Sequence, residues 1–222
     1  MTVQLVLMTQ LIALLLAVPM AMASALRPGR WPDRVISAAQ LAMMSAPGYL
    51  IAIGLMALFA VRLGWFDTTG YIHLSDDPLG SIKSLLLPAV ALSVEPCATY
   101  GRVLRTDLAA TFDQDYIWYA RAKGNSTRRI VLRHALRPSS IGVVTLTGIS
   151  LGRMIGGTVL AESIFALPGL GRFTIDAINN RDFMALQGAV VVLTVGFVLV
   201  NFFVDILHGF IDPRIRTQAS TT

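Results

Sequence analysis

Apolar and polar positions along this chain fall into long blocks, not into the short alternations of a soluble fold. Met1–Leu26, Val35–Val61 and Phe183–Val204 contain no Asp, Glu, Lys, Arg or His. A helix needs about 20 apolar residues to cross a bilayer, so each block is long enough to span one. Two further blocks carry one charge apiece: Ser84–Gly101 is interrupted by Glu95, and Pro138–Ala161 by Arg153. The pattern predicts five spanning helices, at about 3–26, 35–61, 84–101, 138–161 and 183–208. The expected fold is all-α and transmembrane, because at these lengths only helices satisfy their own backbone groups inside lipid. The small residues of "AMASA" (Ala21–Ala25) resemble a signal-peptide cleavage site. No basic stretch precedes the apolar run, however, and Arg27, Arg30 and Arg34 follow it directly, so the run is read as a spanning helix.

Charge sets the orientation. Only 14% of residues are charged, against about 25% in soluble domains. Loop 27–34 holds three arginines and segment 102–137 holds eight Lys or Arg, and the tail after Ile211 adds Arg214 and Arg216. Loop 62–83 sets Arg62 and Lys83 against Asp67, Asp76 and Asp77, and loop 162–182 has only two basic residues, Arg172 and Arg181. By the positive-inside rule the first three segments face the cytoplasm, and the N-terminus lies outside. Composition offers little chemistry. Cys97 stands alone, His73, His134 and His208 are isolated, and no phosphate-cradling glycine loop occurs. No metal site, bound cofactor or catalytic residue is therefore expected in this chain.

The long cytoplasmic segment is the informative one. Leu104, Leu108, Phe112, Tyr116 and Tyr119 recur at helical spacing, with Asp113 and Asp115 dividing the stretch. Gly124 can end a helix in the left-handed conformation. Asn125 or Ser126 can cap the next one, whose apolar residues are Ile130, Val131 and Leu136. Two short helices joined by an elbow at Gly124 are expected outside the membrane. Within "YARAKGNSTRRIVLRHALRP" (Tyr119–Pro138) six of twenty residues are basic and none is acidic. Charge alone leaves two readings, an amphipathic segment lying on anionic lipid and a docking surface for a protein partner, with nucleic-acid binding well behind both.

That stretch resembles the cytoplasmic loop signature of permease subunits of ATP-binding-cassette importers, in the form found in the dipeptide/oligopeptide/nickel group. Gly124 stands at the motif's glycine and Ala120 at one of its alanines, while Trp118 and Tyr119 replace the general motif's Glu and Ala. "AESIFALPGLGR" (Ala161–Arg172) with "AINNRDF" (Ala177–Phe183) is similar to the group's outer loop, and "DPRIR" (Asp212–Arg216) to its C-terminal ending. The resemblance implies a transmembrane domain over 1–216 with a polar tail at 217–222, lacking the family's first helix and the external segment after it. It implies a coupling helix in which Trp118, Tyr119, Ala120, Arg121, Ala122, Lys123 and Gly124 meet a cytoplasmic ATPase. It further implies a second permease subunit, two ATP-binding subunits that hold ATP and Mg, an external substrate-binding protein and a bacterial inner-membrane location. The implied cargo is a di- or oligopeptide, with nickel or a nickel chelate as the alternative. From another class, a membrane-anchored scaffold with a lipid-binding basic loop would need no ATPase.

Glu95 and Arg153 are the charges inside spans, where ionisable groups are costly. At 1.5 Å per residue they lie about 17 and 12 Å from the outer ends of their spans, near enough in depth to meet. They are read either as a structural ion pair, with Arg153 alternatively snorkelling outward, or as groups lining a passage that bind opposite ends of a peptide. Gly148, Gly152 and Gly156 form a small-residue stripe that suits close helix approach, to a partner subunit or within the chain. Outside, Glu162, Pro168, Gly169, Gly171 and Arg172 are candidates for docking the substrate-binding protein, a solvated connector being the other reading.

Overall fold

The computed structural model describes residues 1–67 and 70–211, and the side chains of these except Ile155, Asp205 and those of 207–211. The Asp212–Arg216 stretch and the tail at 217–222 lie outside the described residues. Among the described residues the regular structure is entirely helical. Three helices are each long and apolar enough to cross a membrane, Thr2–Ala25, Pro78–Phe112 and Phe183–Val204.

Helix α1 (Thr2–Ala25) shows how such a chain packs. Its large residues Val3, Leu7, Leu11 and Leu15 are exposed, whereas Ala13, Ala17, Ala21 and Ala25 are buried. Lipid tails are as apolar as leucine, so burying leucine against protein gains little, and close approach of small faces becomes the packing force. The alanine face, spaced by four, lies on Cys97, Tyr100, Leu104 and Leu108 of α4 (Pro78–Phe112). A second apolar cluster, around Leu5, Leu85, Phe165 and Leu167, closes the outer end.

The run at 35–61 departs from the expected single helix. Helix α2 (Trp31–Ser45) and helix α3 (Gly48–Leu55, continued by the π-helical Met56–Arg62) meet at 100°. Pro47 is the cause: it disfavours helical backbone in the residue before it, and Ala46 is extended (ψ 126°). By contrast α4 runs unbroken through Pro88 and Pro96 for 35 residues, or about 52 Å. That is longer than the roughly 30 Å of a hydrocarbon core, so α4 carries its own C-terminal third out of the membrane. It starts on Asp77, whose carboxylate accepts the Leu79 N–H (3.0 Å).

Beyond α4 come α5 (Asp115–Ala122), the single turn α6 (Thr127–Arg129) with π-helical Ile130–Ala135, and α7 (Leu136–Ile164). The axis turns by 61° between Thr127–Met154 and Gly156–Ile164, the second bent pair. Helix α8 (Leu170–Asn179) lies in the outer loop, and α9 (Phe183–Ile211) closes the order. Gly152 packs on Asn201 of α9, leaving no room for a Cβ, while Gly156 faces open space. The glycine stripe is thus used within the chain at Gly152.

Candidate functional site

Helices α4 and α7 enclose a cavity of about 310 Å³. Its wall includes Glu95, Thr99 and Tyr100 from α4 and Ser150, Arg153 and Thr158 from α7. Glu95 and Arg153 therefore do come to one place. No ion pair joins them among the described residues, and both side chains are exposed to the cavity and its opening. Behind them runs a hydrogen-bonded wall: the buried Tyr100 hydroxyl donates to Gln10 Oε1 (2.8 Å), and Gln10 Nε2 donates to Ser150 Oγ (3.0 Å). Gln10 belongs to α1 and lies in a charge-free run, where sequence reasoning passed it over. The amides of Gln4 and Gln10 in such a run were the available signal, since a polar group there must find a partner.

A contrasting cluster sits at the cytoplasmic ends of α1, α2 and α4. Arg105 donates from Nε to Asp33 Oδ1 (2.6 Å) and from Nη2 to Oδ2 (2.7 Å). Ser24 donates to Asp33 Oδ1, and the Gly29 N–H to Oδ2 (2.8 Å). Asp33 is buried, so one carboxylate ties the first loop to two helices.

The elbow forms where Gly124 was expected to make it. Its φ is +76°, and its N–H bonds to the Arg121 carbonyl (2.9 Å). Asp113 and Gln114 separate α4 from α5, as the two aspartates had indicated. Two details differ. Ser126 precedes the next helix without making a side-chain cap, and the Asn125 amide instead donates back to the Ala120 carbonyl (3.0 Å). Ala120 is buried with Ile117 beside Leu108 and Ala135, so its methyl faces the chain's own core and not outward. Tyr119 is 73% exposed and Trp118 is exposed as well, with the Arg121 guanidinium over the Trp118 ring (5.2 Å). Arg121, Ala122, Lys123 and Gly124 are exposed. Helix α5 thus turns Ile117 and Ala120 inward and an aromatic and basic edge outward.

In the outer loop, Glu162 is fully buried. Its carboxylate accepts the N–H groups of Gly171 (2.7 Å) and Arg172 (3.1 Å), at the start of α8, and the Thr2 hydroxyl (2.8 Å). A negative charge there compensates the open amides of a helix N-terminus. Gly169 and Gly171 leave the room: a Cβ on Gly169 would strike the Glu162 carboxyl, and one on Gly171 would lie 2.5 Å from Val159 Cα. Arg172 donates to the Ala166 carbonyl (2.7 Å). Of the five residues considered for docking, Glu162 and Gly171 are buried, Gly169 and Arg172 are half-buried and Pro168 is exposed, and Glu162 with the two glycines holds the loop together.

Comparison with known proteins agrees with this architecture. The model of the binding-protein-dependent transport system inner membrane component matches residues 14–217. A putative peptide transport system permease of Brucella abortus (strain 2308) is 38% identical over 215 residues, covering 97% of this chain and 68% of that protein. A glutathione transport system permease of Salmonella typhi is 34% identical, covering 92% of this chain and 64% of its own length. A dipeptide transport system permease of Alkalihalophilus pseudofirmus is 33% identical, covering 97% and 71%. Among solved structures, an inward-facing MetNI methionine ABC transporter chain superposes with a TM-score of 0.75 at 18% identity, covering 95% of this chain and 93% of that one.

Proposed function

The chain belongs to the binding-protein-dependent transport system inner membrane components, a multi-pass permease of an ABC importer, and from that premise we propose that it passes di- or oligopeptides. The carrying observation is the cavity between α4 and α7, where a carboxylate and a guanidinium, each without an ion-pair partner among the described residues, face one space. A free peptide carries an ammonium at one end and a carboxylate at the other. Glu95 complements the first and Arg153 the second, with Thr99 and Ser150 as neutral hydrogen-bonding groups between them. Both charges stay exposed to the cavity and make no ion pair with each other, so they remain free to bind a ligand that supplies both partners. Several relatives carry peptide names, which supports the same reading.

Energy enters in this reading through α5. Two cytoplasmic ATPase subunits bind ATP and Mg and hydrolyse the nucleotide, and one of them receives the edge formed by Trp118, Tyr119, Arg121, Lys123 and Gly124. Because Ile117 and Ala120 are locked into the core near Leu108, a push on that edge is passed to α4 and so to the cavity wall. A second permease subunit and an external binding protein complete the assembly. The loop around Pro168, rigid through Glu162, offers the outer protein a fixed surface.

Uptake of labelled peptides and of nickel, in cells lacking this chain and in cells given it back, tests the proposal. Peptide uptake should vanish and return with the chain while nickel accumulation stays level; the reverse pattern would assign the metal instead. Gly124→Val tests the lever, since a β-branched residue is strained at φ +76°. The variant should insert normally and leave ATP hydrolysis in reconstituted vesicles running without uptake. Unimpaired uptake would sink the coupling role.

A further inference from the structure

A second cavity, of about 160 Å³, opens between α2 and α4 at the cytoplasmic end of the bundle. Ser37, Gln40, Leu41, Arg102, Arg105 and Thr106 line it. Gln40 is fully buried, and among the described residues neither its Nε2 nor its Oε1 has a hydrogen-bond partner. Buried amides are ordinarily satisfied, and an orphaned donor and acceptor on one side chain is costly. The fold nonetheless makes room for it: a Cβ at Gly101 would strike the Gln40 Nε2. The neighbouring Arg102 is exposed and, among the described residues, reaches only the Met44 sulfur (3.6 Å). Arg105 spends Nε and Nη2 on Asp33 and Ser24, and these bonds leave its Nη1.

The charges around this space do not cancel. Two guanidiniums, Arg102 and Arg105, stand against one carboxylate, Asp33, leaving one net positive charge. We infer that the cavity takes the phosphate of an anionic phospholipid from the inner leaflet. A phosphodiester carries one negative charge and accepts from Arg102, from the Gln40 amide and from Arg105. A headgroup hydroxyl, as in phosphatidylglycerol, donates to Gln40 Oε1 once the amide, fully buried without the lipid, turns into the cavity, so both orphaned atoms are answered by one ligand. Location fits as well: Arg102 opens the basic cytoplasmic stretch of α4, where headgroup phosphates lie, and basic pockets between helices on that side suit such groups. The inference stands apart from the peptide reading, since its residues are not those of the α4–α7 cavity and its readout is not uptake.

Native mass spectrometry of the full chain in detergent, titrated with dioleoylphosphatidylglycerol or dioleoylphosphatidylcholine, tests it. The parent chain should retain phosphatidylglycerol in preference to phosphatidylcholine. Arg102→Gln and Gln40→Leu should each lower that retention about five- to tenfold. Gln40→Leu should also raise the melting temperature of lipid-free protein, because the orphaned amide is gone, which separates lost binding from lost folding. Equal retention of the two lipids, or variants that hold phosphatidylglycerol as the parent does, would overturn the inference. Stabilisation by inorganic phosphate equal to that by phosphatidylglycerol would overturn it too, assigning the site to a soluble anion.

Discussion

Two acid–base couples sit on α4 and its neighbours, and the chain treats them in opposite ways. Asp33 and Arg105 are joined by two short bonds, and Ser24 and Gly29 complete the carboxylate's coordination. Glu95 and Arg153 share a cavity without an ion pair between them and stay exposed to it. The same chemistry is closed in one place and open in the other. A closed pair is spent on structure: its energy is already used and nothing is left for a ligand. An open pair contributes little to the fold and keeps its binding capacity. Residue type alone does not separate the two; partner count does.

The largest expected effect on stability comes from breaking the closed couple. Asp33→Ala would strand Arg105 and leave Ser24 and the Gly29 N–H without their acceptor. Breaking a buried pair costs about 3–5 kcal/mol. The Arg105 side chain is 31% exposed, so water would recover part of that and the loss should be about 2–3 kcal/mol. Thermal unfolding in detergent reads it directly, and an unchanged melting temperature would remove the structural role claimed for the pair. Glu162 extends the comparison, being an acid closed by backbone amides in place of a cation. Gly171→Ala would set a methyl 2.5 Å from Val159 Cα and push α8 off α7. A cost of about 1–2 kcal/mol is expected, with faster proteolysis within 162–182. A variant as resistant as the parent would show that the loop does not depend on this fit.

Much of this was legible in the sequence, and the failures share a cause. The apolar blocks, the elbow at Gly124 and the break near Asp113 each follow from local preference, which a one-dimensional pattern carries. The 100° turn at Ala46–Pro47 was only half legible: a proline disfavours helical backbone in the residue before it, but nothing along the chain fixed the size of the turn. What the sequence hid was pairing between distant residues. Nothing local marks Asp33 out in the arginine-rich loop 27–34, because its partner lies 72 residues away. Glu162 looked like an exposed loop acid, and only folding shows it turned inward beneath Gly169 and Gly171. The small-residue face was sought in α7, where glycines draw the eye, while the alanines of α1 at four-residue spacing carry the main contact. Ala120 likewise matched a motif position without disclosing that its methyl faces inward.

The smallest expected effect on stability is also the one that most sharpens the comparison. Glu95→Gln and Arg153→Gln remove charges that bond to nothing else in the described structure, so each should shift stability by no more than about 0.5 kcal/mol. Function should respond selectively. If Glu95 receives a peptide's ammonium, Glu95→Gln should raise KM for free peptides about tenfold and leave the KM of N-acetylated peptides, which lack that ammonium, unchanged. Arg153→Gln should do the same for free against amidated C-termini. Uptake into vesicles holding the assembled transporter, measured with the four end-capped versions of one dipeptide, reads both. A uniform fall across all four would mean that the charges shape the cavity and do not read the termini. A marked loss of melting temperature in either variant would instead place Glu95 and Arg153 with Asp33 and Arg105, and the contrast between an open couple and a closed one would fail.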